Sequence, residues 1–134
     1  MPPELAELRR WIQKADHDVQ TAEVALGLSR PVTDTAAFHC QQAVEKLLKA
    51  YLFGRDQDFE KIHDVRALAL ECALLDPAFR AQIDRVAPLT AYAVRFRYPG
   101  PNDPTVDEVH AALVVVHEVR AFVLERLPSG ARES

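Results

Sequence analysis

Residues 34–54, Asp-Thr-Ala-Ala-Phe-His-Cys-Gln-Gln-Ala-Val-Glu-Lys-Leu-Leu-Lys-Ala-Tyr-Leu-Phe-Gly, decide the fold. Ala36, Cys40, Ala43, Leu47 and Tyr51 recur at intervals of three and four, the spacing of one helical face. Asp34 is placed to cap the start of this helix, and Gly54 to end it in a left-handed conformation. Beside the apolar face, His39, Gln42, Lys46 and Lys49 fall three and four apart as a polar stripe, with Glu45 next to it.

The same period governs the segments on either side. Leu5, Leu8, Ile12, Ala15, Val19, Ala22 and Leu26 place a long first helix before this one, ending near Gly27. After it, a short helix is expected from Asp64, carrying Val65, Leu68 and Leu75. Asp76 and Pro77 then supply the cap and first position of a fourth helix. Pro88 removes one backbone hydrogen bond from that helix and clashes with the preceding turn, so a kink is expected on the way to Arg95. Pro99-Gly100-Pro101-Asn102-Asp103-Pro104 cannot continue a helix and reads as a loop. Thr105-Val106-Asp107-Glu108 is a capping box opening a last helix to about Leu127. No segment alternates apolar and polar residues as a half-buried strand would. The prediction is all-α: an antiparallel up-and-down helical bundle of four long helices and one short one.

With 134 residues, 49% of them hydrophobic and 27% charged, the chain fits a single domain over 1–134. Its ordered core is expected over about 4–127, and 128–134 as a tail without structure. The last helix is apolar over a wide arc, with Val106, Val109, Leu113 and Val116 on one stripe and Ala112, Val115, Val119 and Phe122 on another. Either a partner subunit covers part of that width, making a homodimer, or the chain's own packing absorbs it.

Several function classes are excluded. No uncharged apolar stretch approaches the ~20 residues that span a bilayer, and no leader pattern is evident. Cys40 and Cys72 match neither a disulfide framework nor a zinc pattern, so a reducing, cytoplasmic setting is expected. A net charge of −4 gives no general attraction for nucleic acid, so any such contact must be local. Glycines at 27, 54, 100 and 130 are too scattered for a phosphate-cradling loop. His117-Glu118 starts like a zinc-protease helix, but Ala121 stands where the second histidine is needed. His110 and His117 read as one surface and one packing histidine, and no metal or cofactor is expected. His39 and Cys40, as helical neighbours, point about 100° apart and cannot act as base and nucleophile.

Two polar groups remain: the stripe on the second helix, and Arg95, Arg97 and Tyr98 before the proline-rich loop. An arginine there can present its planar fork to phosphate or carboxylate. The bland reading of the stripe is a solvated face with a Glu45–Lys49 ion pair, and that of the arginines is a favourable interaction with the helix dipole. His63, at the start of the short helix, reads as a ligand-binding residue or as a simple cap.

Read in order, these elements resemble a known family. Trp11 with Ala15-Asp16-His17-Asp18-Val19, Phe38-His39-Cys40-Gln41-Gln42-Ala43-Val44-Glu45-Lys46-Leu47-Leu48-Lys49-Ala50, Lys61-Ile62-His63-Asp64-Val65 and Arg97-Tyr98-Pro99-Gly100 together look like the HEPN domain of prokaryotes, from about Leu8 to Leu127. The resemblance implies a dimerising five-helix bundle, often encoded beside a minimal nucleotidyltransferase in a toxin–antitoxin-like pair. It also implies nucleotide binding or, in many members, metal-independent RNA cleavage. The cleaving members use an arginine followed after about four to six residues by a histidine. Here those positions after Arg97 hold Asn102, Asp103 and Pro104. Asparagine cannot exchange a proton near neutral pH, and an ordinary aspartate is mostly ionised there, so the usual proton carrier is missing. The variant pattern with a modifiable tyrosine at the histidine position is missing too, because Tyr98 directly follows the arginine.

The first expectation is therefore a nucleotide- or RNA-binding accessory component of a nucleotidyltransferase system, not an enzyme itself. Its ligand-binding residues would be His39, Gln42, Lys46, Lys49, His63, Arg95, Arg97 and Tyr98. One alternative is a metal-independent ribonuclease with a non-standard proton carrier, using Arg97 with Asp103, His39 or His63. The other is a purely structural dimerisation module.

Overall fold

A computed structural model describes residues 2–59, 61–97 and 102–131, with the side chains of 94–97 outside that description. Among the described residues six α-helices carry the chain: α1 (Pro3–Leu26), α2 (Thr33–Gly54), α3 (Val65–Leu75), α4 (Arg80–Val86), α5 (Thr90–Arg97) and α6 (Val106–Leu124). The same residues contain no strand, and the architecture is the all-α antiparallel bundle that the periodicity predicts. The fourth predicted helix appears as α4 and α5, parted by a 3-10 turn at Ala87–Leu89 that contains Pro88. The lost backbone donor and the ring of this proline account for the interruption.

Helix α2 is the centre of the bundle and packs against α1, α3, α5 and α6. Its predicted apolar face is fully used, and Ala37, Val44, Leu48, Ala50 and Leu52 on other sides are buried as well. A helix covered on so many sides cannot keep a solvated face along its whole length, which decides the fate of its polar residues below. Helix α1 contributes Leu8, Ile12, Ala15, Val19 and Ala22, and α6 contributes Val109, Ala112, Leu113, Val116 and Val119. Intrachain packing thus absorbs most of the wide arc on α6. Val106 and Val114 remain exposed.

Capping follows the sequence at two helices and departs from it at one. Thr105 and Glu108 form the reciprocal capping box of α6, and Asp64 accepts from the backbone of Arg66 and Ala67 to start α3. At α2 the capping position is Val32, which offers no side-chain acceptor. Asp34 lies inside the first turn and accepts from the amide of Thr35 at 2.8 Å. At the other end, Gly54 stays helical and Asp56 takes the left-handed conformation with φ 58°. An aspartate tolerates that region better than most residues, so no glycine is required there.

The tail expected to lack structure from residue 128 is docked as far as Ala131. Ser129–Ala131 form a 3-10 turn against α1, Ala131 is buried, and Arg9 Nε donates to the Gly130 carbonyl at 2.7 Å. A Cβ on Gly130 would stand 2.9 Å from a Leu5 methyl, so a larger residue there would require the Leu5 side chain to shift. At the far side of the core, Phe79 packs tilted against Tyr51 and edge-on against Phe122, with centroids 4.5 and 4.8 Å apart. The Arg126 guanidinium covers Phe122 at 3.5 Å and donates to Asp76 at 3.1 Å. Asp76, held by this arginine and above all by the backbone amide of Ala78, keeps its carboxyl below the usual range. His110 and His117 are both exposed, so the expectation that one of them packs is corrected.

Candidate functional site, a polar ridge held from beneath

The polar stripe of α2 divides into two clusters because α1 approaches one edge of the helix and the segment before α3 the other. In the first cluster a single carboxylate from α1, Asp18, is buried among the apolar residues of that helix. Its Oδ1 lies 2.8 Å from His39 Nδ1, and its Oδ2 accepts from Lys46 Nζ. His39 and Lys46 each keep about a quarter of their side-chain surface open, 26% in both cases. With Nδ1 engaged, the imidazole has Nε2 left for other partners, and the lysine has two of its three donors left. One buried anion thus holds two half-exposed nitrogen groups side by side, an arrangement suited to receive an anionic oxygen.

The second cluster is more deeply buried. Glu45 accepts from Lys49 Nζ at 2.9 Å and from the Gln41 amide at 3.2 Å, with His63 Nδ1 at 3.5 Å. Gln42 donates to the Gln41 side-chain oxygen at 2.8 Å and so extends the Glu45 cluster. The Glu45–Lys49 pair anticipated as a surface contact is formed, yet both partners are buried, with Lys49 6% exposed. Paired carboxylate and ammonium with further donors on the carboxylate are what make such burial tolerable.

Lys49 is therefore set apart from the other expected ligand-binding residues. It turns away from the open ridge and lines a cavity next to Phe59, with its ammonium 6.0 Å from the centre of that ring. His63 is exposed at the rim of the Glu45 cluster, and Gln42 is half-buried beside Gln41. Asp103 is exposed ahead of α6, and among the described residues it makes no hydrogen bond to the ridge. Tyr98 and the side chains of Arg95 and Arg97 lie outside the described residues. The backbone of α5 runs to Arg97 and packs against α2.

Asp18 is the residue that sequence reasoning missed as part of the site. Its position one residue before Val19 on the buried face of α1 was the available signal, since a carboxylate on such a face requires a partner. Asp16, two residues earlier, instead faces outward and holds Arg120 of α6 through bonds of 2.7 and 3.0 Å, which raises the arginine's pKa. Burial pushes the thiols of Cys40 and Cys72 up to about 12, with Asp18 and Glu23 adding at Cys40 and Glu71 at Cys72. Neither is a nucleophile in this state.

A helical bundle with a carboxylate-held imidazole and ammonium on its central helix defines a class of polar-ridged all-α domains. The particular family follows from comparison with known proteins: the HEPN domain profile matches residues 8–127, and the chain belongs to the HEPN domain family. The chain is similar in structure to TT1696 from Thermus thermophilus, with a TM-score of 0.73 and 29% sequence identity. That likeness covers 90% of this chain and 98% of the Thermus chain. No curated protein sequence matches. No helix among the described residues is long and apolar enough to cross a membrane.

Proposed function

We propose that this HEPN protein binds a nucleotide or RNA through the α2 ridge and serves, as a cytoplasmic homodimer, as the accessory half of a nucleotidyltransferase-linked, toxin–antitoxin-like pair. The observation that carries the reading is Asp18 beneath His39 and Lys46. The lysine and imidazole are held in fixed positions, so a phosphate meeting them costs little further side-chain ordering. Arg97 and Tyr98, at and just beyond the end of α5, are proposed to complete the contact, with Arg95, Gln42 and His63 around it. Exposed Val24, Leu28, Val106 and Val114 support a second copy packing on α1 and α6.

Thermal unfolding tests the binding. A ligand present at ~100 times its dissociation constant stabilises by ~2.7 kcal/mol. For 134 residues with an unfolding entropy of ~2.1 cal/mol/K each, that raises Tm by about 10 °C. Lys46→Ala and Arg97→Ala should each remove most of the rise. If neither mononucleotides nor short RNA at millimolar concentration move Tm of the wild-type protein, the reading is wrong.

A second reading is favoured by the His39–Asp18 contact of 2.8 Å, the geometry by which a carboxylate orients an imidazole for proton transfer. In that reading the protein is a metal-independent ribonuclease with His39 as proton carrier. It predicts RNA cleavage in EDTA that His39→Gln and Arg97→Ala both abolish, and an inert wild-type protein excludes it.

A further inference from the structure

Away from the ridge, two cavities meet along α1. One of about 380 Å3 is bordered by Arg10, Trp11 and Lys14. The other, of about 450 Å3, shares Trp11 and Glu7 with the first and continues to Phe59 and Asp58 beyond the end of α2. Together they form a trough whose size falls within the ~300–1,000 Å3 of small-molecule sites.

Its chemistry is graded along its length. In the middle stands Trp11, half-buried and fixed edge-on against the buried ring of Phe59, with centroids 5.4 Å apart and planes at 78°. At one end Arg10 and Lys14, both exposed, lie four residues apart on α1, where like charges destabilise a helix. Among the described residues neither cation has an ion pair or a hydrogen bond, although Glu7 is within helical reach of Arg10. At the other end the walls carry the carboxylate of Asp58. The buried ammonium of Lys49 also lies there, already engaged by Glu45. The cation end attracts an anion, and the carboxylate end repels one and accepts from N–H groups. A ligand with a planar ring bearing N–H donors and a phosphate one helical turn away, about 5.4 Å, would match both ends and the indole between them.

From this grading we infer that the trough binds a purine nucleotide, free or as the end of an RNA, with the base stacked at Trp11. Its N–H donors, the exocyclic amino group of adenine or the N1–H and amino group of guanine, face Asp58 or Glu7, and its phosphate lies at Arg10 and Lys14. The inference rests on the proposed nucleotide- or RNA-binding function and adds a second contact region, on the α1 side of the molecule, to the α2 ridge.

Trp11 is the one tryptophan in the sequence, so indole fluorescence reports on this trough alone. The purified protein is titrated with AMP, GMP, adenosine, ribose 5-phosphate and a short RNA ending in a purine, while calorimetry follows binding anywhere on the molecule. The expected result is saturable quenching by AMP or GMP, at least tenfold weaker with adenosine or ribose 5-phosphate. Quenching by the RNA and not by mononucleotides would identify the strand end as the source. Arg10→Glu with Lys14→Glu, both on the surface, should raise the Kd by tenfold or more with Tm unchanged. Calorimetric binding without any fluorescence change, and equal in the double variant, would overturn the trough and leave the ridge reading standing. Absence of binding by both methods would overturn both. A fluorescence change that follows protein concentration and not nucleotide would assign the trough to a second copy of the chain and overturn the inference as well.

Discussion

Asp18→Asn is the substitution with the clearest consequence, because it keeps the shape of the side chain while removing the charge beneath the ridge and turning one of the two accepting oxygens into an N–H donor. Asp18 is 6% exposed, and its two oxygens serve His39 at 2.8 Å and the ammonium of Lys46. A hydrogen bond to a charged group contributes ~1.5–3 kcal/mol, and breaking a fully buried ion pair costs ~3–5 kcal/mol. His39 and Lys46 keep 26% of their surface open and regain water when the charge is lost, so the lower part of these ranges applies. A cost of about 2–3 kcal/mol follows, which for a 134-residue chain unfolding with ~2.1 cal/mol/K per residue lowers Tm by about 7–11 °C. Asp16→Asn is the internal control. Its pair with Arg120 is partly exposed on both sides, 42% and 35%, so its loss is expected to cost below about 1 kcal/mol, or less than about 4 °C. Differential scanning calorimetry of both variants at neutral pH decides the matter. If Asp18→Asn loses no more than Asp16→Asn, the carboxylate does not hold the ridge, and the preorganised anion site falls with it.

Two further outcomes follow from the corrected ends and the buried thiols. Gly54→Ala should raise Tm by about 2–4 °C, because the residue is helical and its new Cβ would meet nothing closer than a Leu127 methyl at 3.6 Å; alanine in a helix is favoured over glycine by ~0.5–1 kcal/mol. A fall in Tm would mean that the chain leaves the helix at Gly54 after all. Cys40 and Cys72, raised from 9.0 to about 12, should react with a disulfide reagent at pH 8 about a thousandfold more slowly in the native protein than after unfolding in urea. The same shift favours the neutral thiol in the folded state. Its stabilising contribution is present below pH ~8.5, the unfolded thiol's range, and is lost as pH rises toward about 12. Stability measured at pH 8 should therefore exceed that at pH 10, and an unchanged Tm with rapid native-state labelling would contradict the burial.

The helices, the interruption at Pro88 and the caps at Asp64 and Thr105 were legible because each depends on residues within a few positions of one another. The ends of α2 were misread for a related reason. Asp34 and Gly54 are residue types that favour ends, but Val32 takes the capping position without a side-chain acceptor, and Asp56 supplies the left-handed turn two residues after Gly54. The docking of Ser129–Ala131 was invisible because it depends on Arg9 and Leu5, more than a hundred positions away.

The same distinction explains the site. Periodicity placed His39, Gln42, Lys46 and Lys49 on one stripe and left open whether that stripe met water or a ligand. The structure adds what a period cannot hold: α2 is surrounded, so its polar residues must find partners, and each finds the one that its side of the bundle offers. On the α1 side the partner is Asp18, which is short and buried and gives one oxygen each to His39 Nδ1 and Lys46 Nζ, so the imidazole Nε2 and two of the ammonium's donors remain in play. On the other side Glu45 comes from α2 itself, one turn before Lys49, and it closes on the lysine and buries it. Two lysines three residues apart thus acquire opposite roles. Lys46 is held at the surface and Lys49 is built into the wall, and the difference lies in whether the anion beneath each belongs to the neighbouring helix or to its own.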